Sequence, residues 1–449
     1  MRRVVAEMVE AGLVVDPVVV VLNIQVAALM TAEWVARKLE PPEGRVDRVM
    51  LPGYCRGDLG PIAAKLGVAV ERGPQNVHDL PDVFGRGREA ARGYGQYTIE
   101  IIAEINHAPR LAMRAILDEA EALRRAGADV IDVGCDAQSD RPAWTGVGEV
   151  VRALRGRGHR VSIDSFHPEE VESAVAAGAE LVLSVNSSNR DAASGWGAEV
   201  VAIPDTPGDV ASLDRTIDCL VKRSVPFRVD PVIEPIGFGF ASSLGRYLDV
   251  RRRYPDAAMM MGVGNLTEMT EVDSAGVNAL LIGFCQELSI ASVLTTQVIN
   301  WARSAVREID IARRIMHHAL KRGTPPKHID ERLVMLRDPK LRPIADDELA
   351  ELAANLTDRN VRLFADAVTG RLHAMRKGTY VSGDDPFVLF DGLAIDDPSH
   401  AFYLGYELAK AVMAVTLGKN YVQDEPLRWG MLTRDEVSHV ENRKRTAQT

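Results

Sequence analysis

The stretch GADVIDVGCD, residues 127–136, and the longer RVSIDSFHPEEVESAVAAGAELVLSVNSS, residues 160–188, decide the fold. Each short apolar run in them stops at a polar residue: Asp132 and Asp136, then Asp164, then Asn186. The pattern continues on both sides. IIAEINHA (101–108) ends its run at Asn106, PFRVDP (226–231) at Asp230 and AMMMGVGN (258–265) at Asn265. Between the runs lie segments with apolar residues at helical spacing. The clearest is LAMRAILDEAEALRRAG (111–127), which closes on Gly127, a residue suited to a helix C-terminus. Strands are expected near 100–105, 129–133, 160–164, 180–185, 199–203, 227–230, 258–263 and 289–294. Eight strand–helix units over 97–322 predict an α/β fold, a (β/α)8 TIM barrel, with a doubly wound open sheet as the alternative. In the barrel, every strand-end Asp and Asn belongs to the face that carries the chemistry.

The flanks read differently. Residues 1–95 predict a small N-terminal α/β domain: a short helix, a buried strand at Val18–Leu22, a helix over Val26–Leu39, and strands in VDRVMLPG and at Val68–Val70. The Gly-rich run from Gly85 reads as a linker. Residues 327–449 predict a C-terminal α+β domain. NVRLFADAVTGRLHAMRKGTYVSG alternates like a β-meander, Ser399 is placed to cap the helix HAFYLGYELAKA, and the end ENRKRTAQT reads as a tail.

Composition excludes several classes. The 449 residues are 46% hydrophobic and 26% charged, with a net charge of −10 and no basic run, which argues against nucleic acid as partner. The four cysteines lie far apart with no Cys/His cluster, so neither a zinc site nor a disulfide framework is expected, and a reduced cytoplasm is the expected setting. No apolar run reaches the roughly 18 residues that a membrane span needs. Glu7, Glu10 and Asp16 interrupt the apolar N-terminus, against a signal peptide. Gly237-Phe-Gly-Phe lacks both GxGxxG and a P-loop lysine, which excludes ATP binding by those motifs.

A lone Asp or Asn after a strand ordinarily caps the next helix. Six such positions in register across one barrel instead describe a ligand site. Asp accepts hydrogen bonds, and Asn both donates and accepts. Together they suit a flat heterocycle with an amidine-like edge, of which a pterin is one. A buried Asp facing two ring N–H groups makes a charge-assisted bidentate contact.

These motifs resemble those of dihydropteroate synthases: GADVIDVGCDAQSDRP their second-strand motif, RVSIDSFHPEEVESAVAAGAELVLSVNSS their third and fourth strands, and PFRVDP their sixth. The resemblance covers about 200 residues. It implies that Asp132, Asp164, Asn186 and Asp230 hold a pterin, with Asp132, Asp164 and Asp230 serving catalysis. It also implies that Asn106 lies at the pyrophosphate and its Mg²⁺. Asp136, Arg141 and Arg303 are further substrate contacts, the two arginines toward the anion. Gly262-Val-Gly-Asn265 departs from the synthases and resembles the pterin-dependent methyltransferases, in which the Asn contacts the pterin.

The whole-chain layout resembles the dihydropteroate synthase-like proteins of the tetrahydromethanopterin pathway in methanogens and methylotrophs. That implies a cytoplasmic transferase, a homodimer by likeness to the barrel family. It would join 6-hydroxymethyl-dihydropterin diphosphate to an aryl amine, 4-(β-D-ribofuranosyl)aminobenzene 5'-phosphate, and release pyrophosphate. The alternatives are a pterin-dependent methyltransferase acting with a corrinoid partner and a non-catalytic pterin-binding protein.

Overall fold

A computed structural model describes residues 1–449 except 15, 23, 25–29, 42, 43, 45, 75, 76, 78, 79, 85–92, 137–141 and 437–449. The expected linker over 85–92, the start of the helix expected over 26–39 and the tail ENRKRTAQT fall outside the described residues. Two compact units are present, Met1–Tyr94 and Gly95–Thr449.

In the first unit, helices Arg2–Glu10, Ala32–Lys38 and Gly60–Leu66 accompany two parallel strands, β1 (Arg48–Leu51) and β2 (Ala69–Arg72). Thr31 caps the second helix by accepting the Trp34 N–H at 3.2 Å. Ala32, Val35, Leu51 and Ile62 bury the apolar faces together. The buried strand expected at Val18–Leu22 does not form. Val18, Val20 and Val21 are exposed there, and the run pairs with neither strand of the small sheet. A valine run becomes a strand only where it finds a partner edge to pack on.

The second unit begins with β3 (Glu100–Ile105), β4 (Val130–Gly134), β5 (Arg160–Asp164), β6 (Leu181–Val185), β7 (Glu199–Ala202), β8 (Phe227–Val229), β9 (Met260–Gly262) and β10 (Ser292–Thr295). All pair in parallel, in the order β8-β7-β6-β5-β4-β3-β10-β9. The two ends meet through a Val229–Met259 bridge, with the Val229 N–H donating to the Ala258 carbonyl at 2.8 Å. The sheet therefore closes into a (β/α)8 barrel, as the sequence predicts. The open doubly wound alternative fails because chain neighbours pair all the way round.

Alternation along the strands sorts the side chains. Outward residues such as Ile101, Ala103, Ile131, Val161 and Ile163 pack under the surrounding helices. Inward ones, Ile102, Val130, Leu181, Leu183, Val201 and Met260, fill the barrel. Below them lies a charged floor. Arg228 grips Glu199 with Nε and Nη2 at 3.0 and 2.9 Å and reaches Glu100 at 2.6 Å. Arg160 binds both Glu100 and Glu180. Each half-buried carboxylate here has a cation, which offsets its desolvation.

Helix Ala305–Arg322 braces that end of the barrel through Arg313, 1% exposed. Its guanidinium pairs with Asp129 and with Asp310 at 2.7 Å, donates to the Ile99 and Gly127 carbonyls at 2.8 and 3.1 Å, and lies 3.6 Å from the Tyr97 ring centroid.

Within the same unit, antiparallel strands β11 (Arg362–Asp366), β12 (Arg371–Arg376) and β13 (Thr379–Gly383) carry helices Pro386–Leu393 and Pro398–Leu417 on a core of their own. The expected meander is there, but the cap is not Ser399. Asp397 accepts the His400 N–H at 2.7 Å, because Pro398 starts the helix one residue earlier. Among the described residues no helix is long and apolar enough to cross a membrane.

Arg313→Met should lower the unfolding free energy of the second unit by about 3 kcal/mol, since it leaves Asp129 without its cation and the Ile99 and Gly127 carbonyls without a donor, while Asp310 keeps Arg314. A urea transition followed by tryptophan fluorescence measures this. A loss below about 1 kcal/mol, the scale of a surface ion pair, would remove Arg313 as a brace.

Candidate functional site

The inward positions at the C-terminal ends of the strands are polar, so the barrel interior opens there into a cavity of about 320 Å³. Glu104 on β3, Asp164 ending β5, Asp230 after β8 and Glu268 after β9 bring carboxyl groups to it, with Asn106 and Asn265 beside them. Among the described residues that line it there is no Lys, Arg or His.

Each carboxyl is held differently. Asp230 accepts hydrogen bonds from the Tyr247 hydroxyl and, at 2.8 Å, from the Val232 N–H; the Gly262 N–H is a third donor. Burial pushes its pKa up to about 6 against the pull of those donors. Asp164 is raised by burial, opposed by a hydrogen bond from Ser184. Asp132 is fully buried beneath them. Its Oδ1 accepts the Ser162 hydroxyl at 2.6 Å, while Oδ2 finds no partner among the described residues. Burial, then the charges of Glu104 and Asp164, raise its pKa well above the carboxylate range. Glu104 is pushed up to about 8, first by burial and then by Asp164 and Glu268. Glu268 accepts the Thr296 hydroxyl.

Two backbone features shape this wall. Ser184 and Val232, both lining the cavity, have φ of 63° and 64°, a left-handed conformation that is unfavourable for a β-branched residue. At Ser184 the β6–β7 register breaks between Val182 and Val185. At Gly134 the missing side chain leaves room for the Glu104 carboxylate, which a Cβ there would displace.

Four residues named from the sequence, Asn106, Asp164, Asp230 and Asn265, line the one cavity, with Asp132 buried behind it. The Asn106 Oδ1 is buried without a partner among the described residues. Asn186 is not part of the lining; its Oδ1 accepts the Ser188 N–H and hydroxyl at 3.0 and 2.7 Å, closing a local turn. Asp136 stands at the rim, paired with His107 at 2.8 Å and Arg110 at 2.9 Å, and these partners hold its carboxyl below the usual range. Arg303 is exposed and donates to the Asn300 side chain at 3.3 Å. Arg141 lies outside the described residues.

Glu104 and Glu268 were not named from the sequence. For Glu104 a signal existed: an acidic residue inside the buried run IIAEIN, two positions before Asn106 and therefore on the inward face of its strand. Glu268 follows its strand by a helical turn, where nothing in its neighbours distinguishes it.

Residues 106–204 match the family described as pterin binding enzyme, and residues 1–75 match a family of unknown function (DUF6513). An uncharacterized protein of Methanocaldococcus jannaschii, MJ0107, is 24% identical over 90% of this chain and 93% of its own. Among solved structures, the chain is similar to dihydropteroate synthase of Yersinia pestis with a pterine-sulfa conjugate (16% identity, 51% of this chain, 94% of that chain, TM-score 0.41). It is also similar to the Thermus thermophilus synthase in complex with 4-aminobenzoate (20% identity, 49% and 92%, TM-score 0.37). A pterin-binding enzyme signature thus spans the first half of the barrel and includes Asn106, Asp132, Asp164 and Asn186.

Proposed function

We propose that this chain is a dihydropteroate synthase-like transferase that joins 6-hydroxymethyl-dihydropterin diphosphate to an aryl amine and releases pyrophosphate. One observation carries the reading: Asp164, Asp230 and Asn265 converge on a single cavity, in a barrel whose first four strand ends match pterin-binding enzymes. Asp230, oriented by three donors, is prepared to accept the N–H groups of the amidine-like edge. Asp164 and Asn265 would hold the rest of the ring, with Asp132 buried behind them. The amine nitrogen forms its bond to the exocyclic carbon as the carbon–oxygen bond to the diphosphate breaks. Positive charge that develops on the pterin in between would be stabilised by the ionised Asp230.

Mg²⁺ fits this reading at one point. The unpartnered Asn106 Oδ1 is an oxygen ligand, and an ion bound mainly through phosphate needs only one or two from the protein. Bound there, it would neutralise the diphosphate. The amine would be 4-(β-D-ribofuranosyl)aminobenzene 5'-phosphate of tetrahydromethanopterin synthesis, the choice to which the whole-chain layout points. A cytoplasmic homodimer completes the proposal.

A second reading, methyl transfer from a pterin to a corrinoid partner, is favoured by Asn265 and by the lack of a cation in the described lining. Pyrophosphate release with the pterin diphosphate and ribosylaniline phosphate separates the two. Release dependent on both substrates is expected, and its absence would overturn the synthase reading.

Asp230→Asn should weaken 6-hydroxymethyl-dihydropterin binding about 10- to 100-fold, the loss of a charge-assisted contact of roughly 1.5–3 kcal/mol. Calorimetric titration measures it, and an unchanged affinity would take Asp230 out of the site. The same titration should show pH dependence. Asp230 is an ionised acceptor above about pH 6 and is protonated below it. Wild-type affinity should therefore fall as pH drops through 6, by about tenfold per unit, and Asp230→Asn should lose that break.

A further inference from the structure

The cavity wall is rich in acceptors and short of donors. Glu104, Asp164, Asp230 and Glu268 each present carboxyl oxygens. Its two hydroxyl donors are already committed, Ser184 to Asp164 and Thr296 to Glu268. Only the amide groups of Asn106 and Asn265 remain to donate from the described side chains. A ligand that fills this space must bring its own N–H groups, or it leaves buried carboxyl oxygens unmatched.

Glu104 is the least satisfied of the four. No hydrogen bond to it is formed by the described residues, whereas Asp164, Asp230 and Glu268 each have a donor. Its place is nonetheless fixed. It sits on a central β-strand between β4 and β10, and Gly134 on β4 leaves the room that the carboxyl occupies. An acidic side chain with reserved space, aimed into a cavity and left without a donor, waits for one on the ligand.

Resting on the pterin reading, we infer that Glu104 is a specificity-determining residue that accepts an N–H of a reduced pterin's pyrazine ring. The chemistry of the ring makes this selective. In a fully oxidised pterin both pyrazine nitrogens are acceptors and would face an ionised Glu104 carboxylate lone pair to lone pair. A 7,8-dihydropterin carries N8–H, and a tetrahydropterin adds N5–H. The wall thus sorts pterins by reduction state, and a polar wall that loses its matching N–H discriminates far more strongly than an apolar one.

The test is calorimetric titration of the full chain at about pH 9, where Glu104, pushed up to about 8, is ionised, with 6-hydroxymethylpterin, its 7,8-dihydro form and 6-methyltetrahydropterin. Wild type should prefer at least one reduced form over the oxidised one by about 10- to 100-fold, the worth of one hydrogen bond to a charged group. Preference already present in the dihydro form assigns the contact to N8–H; preference appearing only in the tetrahydro form assigns it to N5–H. Glu104→Leu should abolish the preference by weakening reduced pterins while sparing the oxidised one. Glu104→Gln, whose amide oxygen still accepts, should keep part of it. Oxidised-pterin binding in each variant reports an intact site. A wild type without preference, or a Glu104→Leu variant that keeps it, overturns the inference and leaves the pterin reading standing. A wild type that binds none of the three overturns both.

Discussion

The arrangement depends on one electrostatic asymmetry inside the barrel. Along β3, Glu100 and Glu104 both point inward, two repeats of the pleat apart with Ile102 between them. Glu100 meets Arg228 and Arg160, so its charge is compensated where it lies. Glu104 meets Asp164, Glu268 and the buried Asp132 instead, and no cation lines its surroundings among the described residues. The same barrel interior therefore ends in a neutralised floor and an uncompensated mouth. At an effective dielectric of about 20, like charges 4 Å apart cost about 4 kcal/mol. The mouth avoids that cost by holding protons, as the raised pKa values of Glu104, Asp132 and Asp164 express, or by binding a ligand that supplies N–H groups or positive charge.

Backbone strain is concentrated on the same wall. A left-handed Ser184 and a left-handed Val232 each cost about 1–3 kcal/mol. At Val232 the peptide is turned so that its N–H meets Asp230. At Ser184 the break in the β6–β7 register comes with a hydroxyl that reaches Asp164. Both distortions serve a carboxylate of the cavity. The surrounding helices, packed on a continuous outer core, supply the stability that holds them.

The barrel was legible in the sequence because buried parallel strands are written as short apolar runs, and each run here is punctuated at the same place. Asn106, Asp164, Asp230 and Asn265 could be read from that punctuation. Asn186 shares the pattern yet closes its own turn, since an Asn after a strand has a local hydrogen bond within reach. Glu104 was passed over because it sits inside the run rather than at its end. The exposed valines of the first unit show the converse: a strand-like composition without a partner edge yields no strand. Pairing and inward direction are tertiary facts, and periodicity alone does not contain them.

The charge pattern also constrains how a diphosphate substrate could be seated. Its tail would meet no cation among the described residues of the lining, and any carboxyl group ionised there would repel it in a low dielectric. The positive groups after the strand ends are Arg110, beyond β3 and paired with Asp136, and Arg303, beyond β10. A pterin diphosphate would therefore enter ring first, with its neutral N–H edge toward the carboxylates and its anionic tail toward the rim. That orientation leaves the exocyclic carbon at the boundary between the two potentials. In the proposed reaction, as the carbon–oxygen bond stretched, positive charge would grow on the side of the carboxyl groups and negative charge on the side of the rim. Both movements run down the field of the folded chain, so the same asymmetry that makes the empty mouth costly would favour the separation of charge in the transition state.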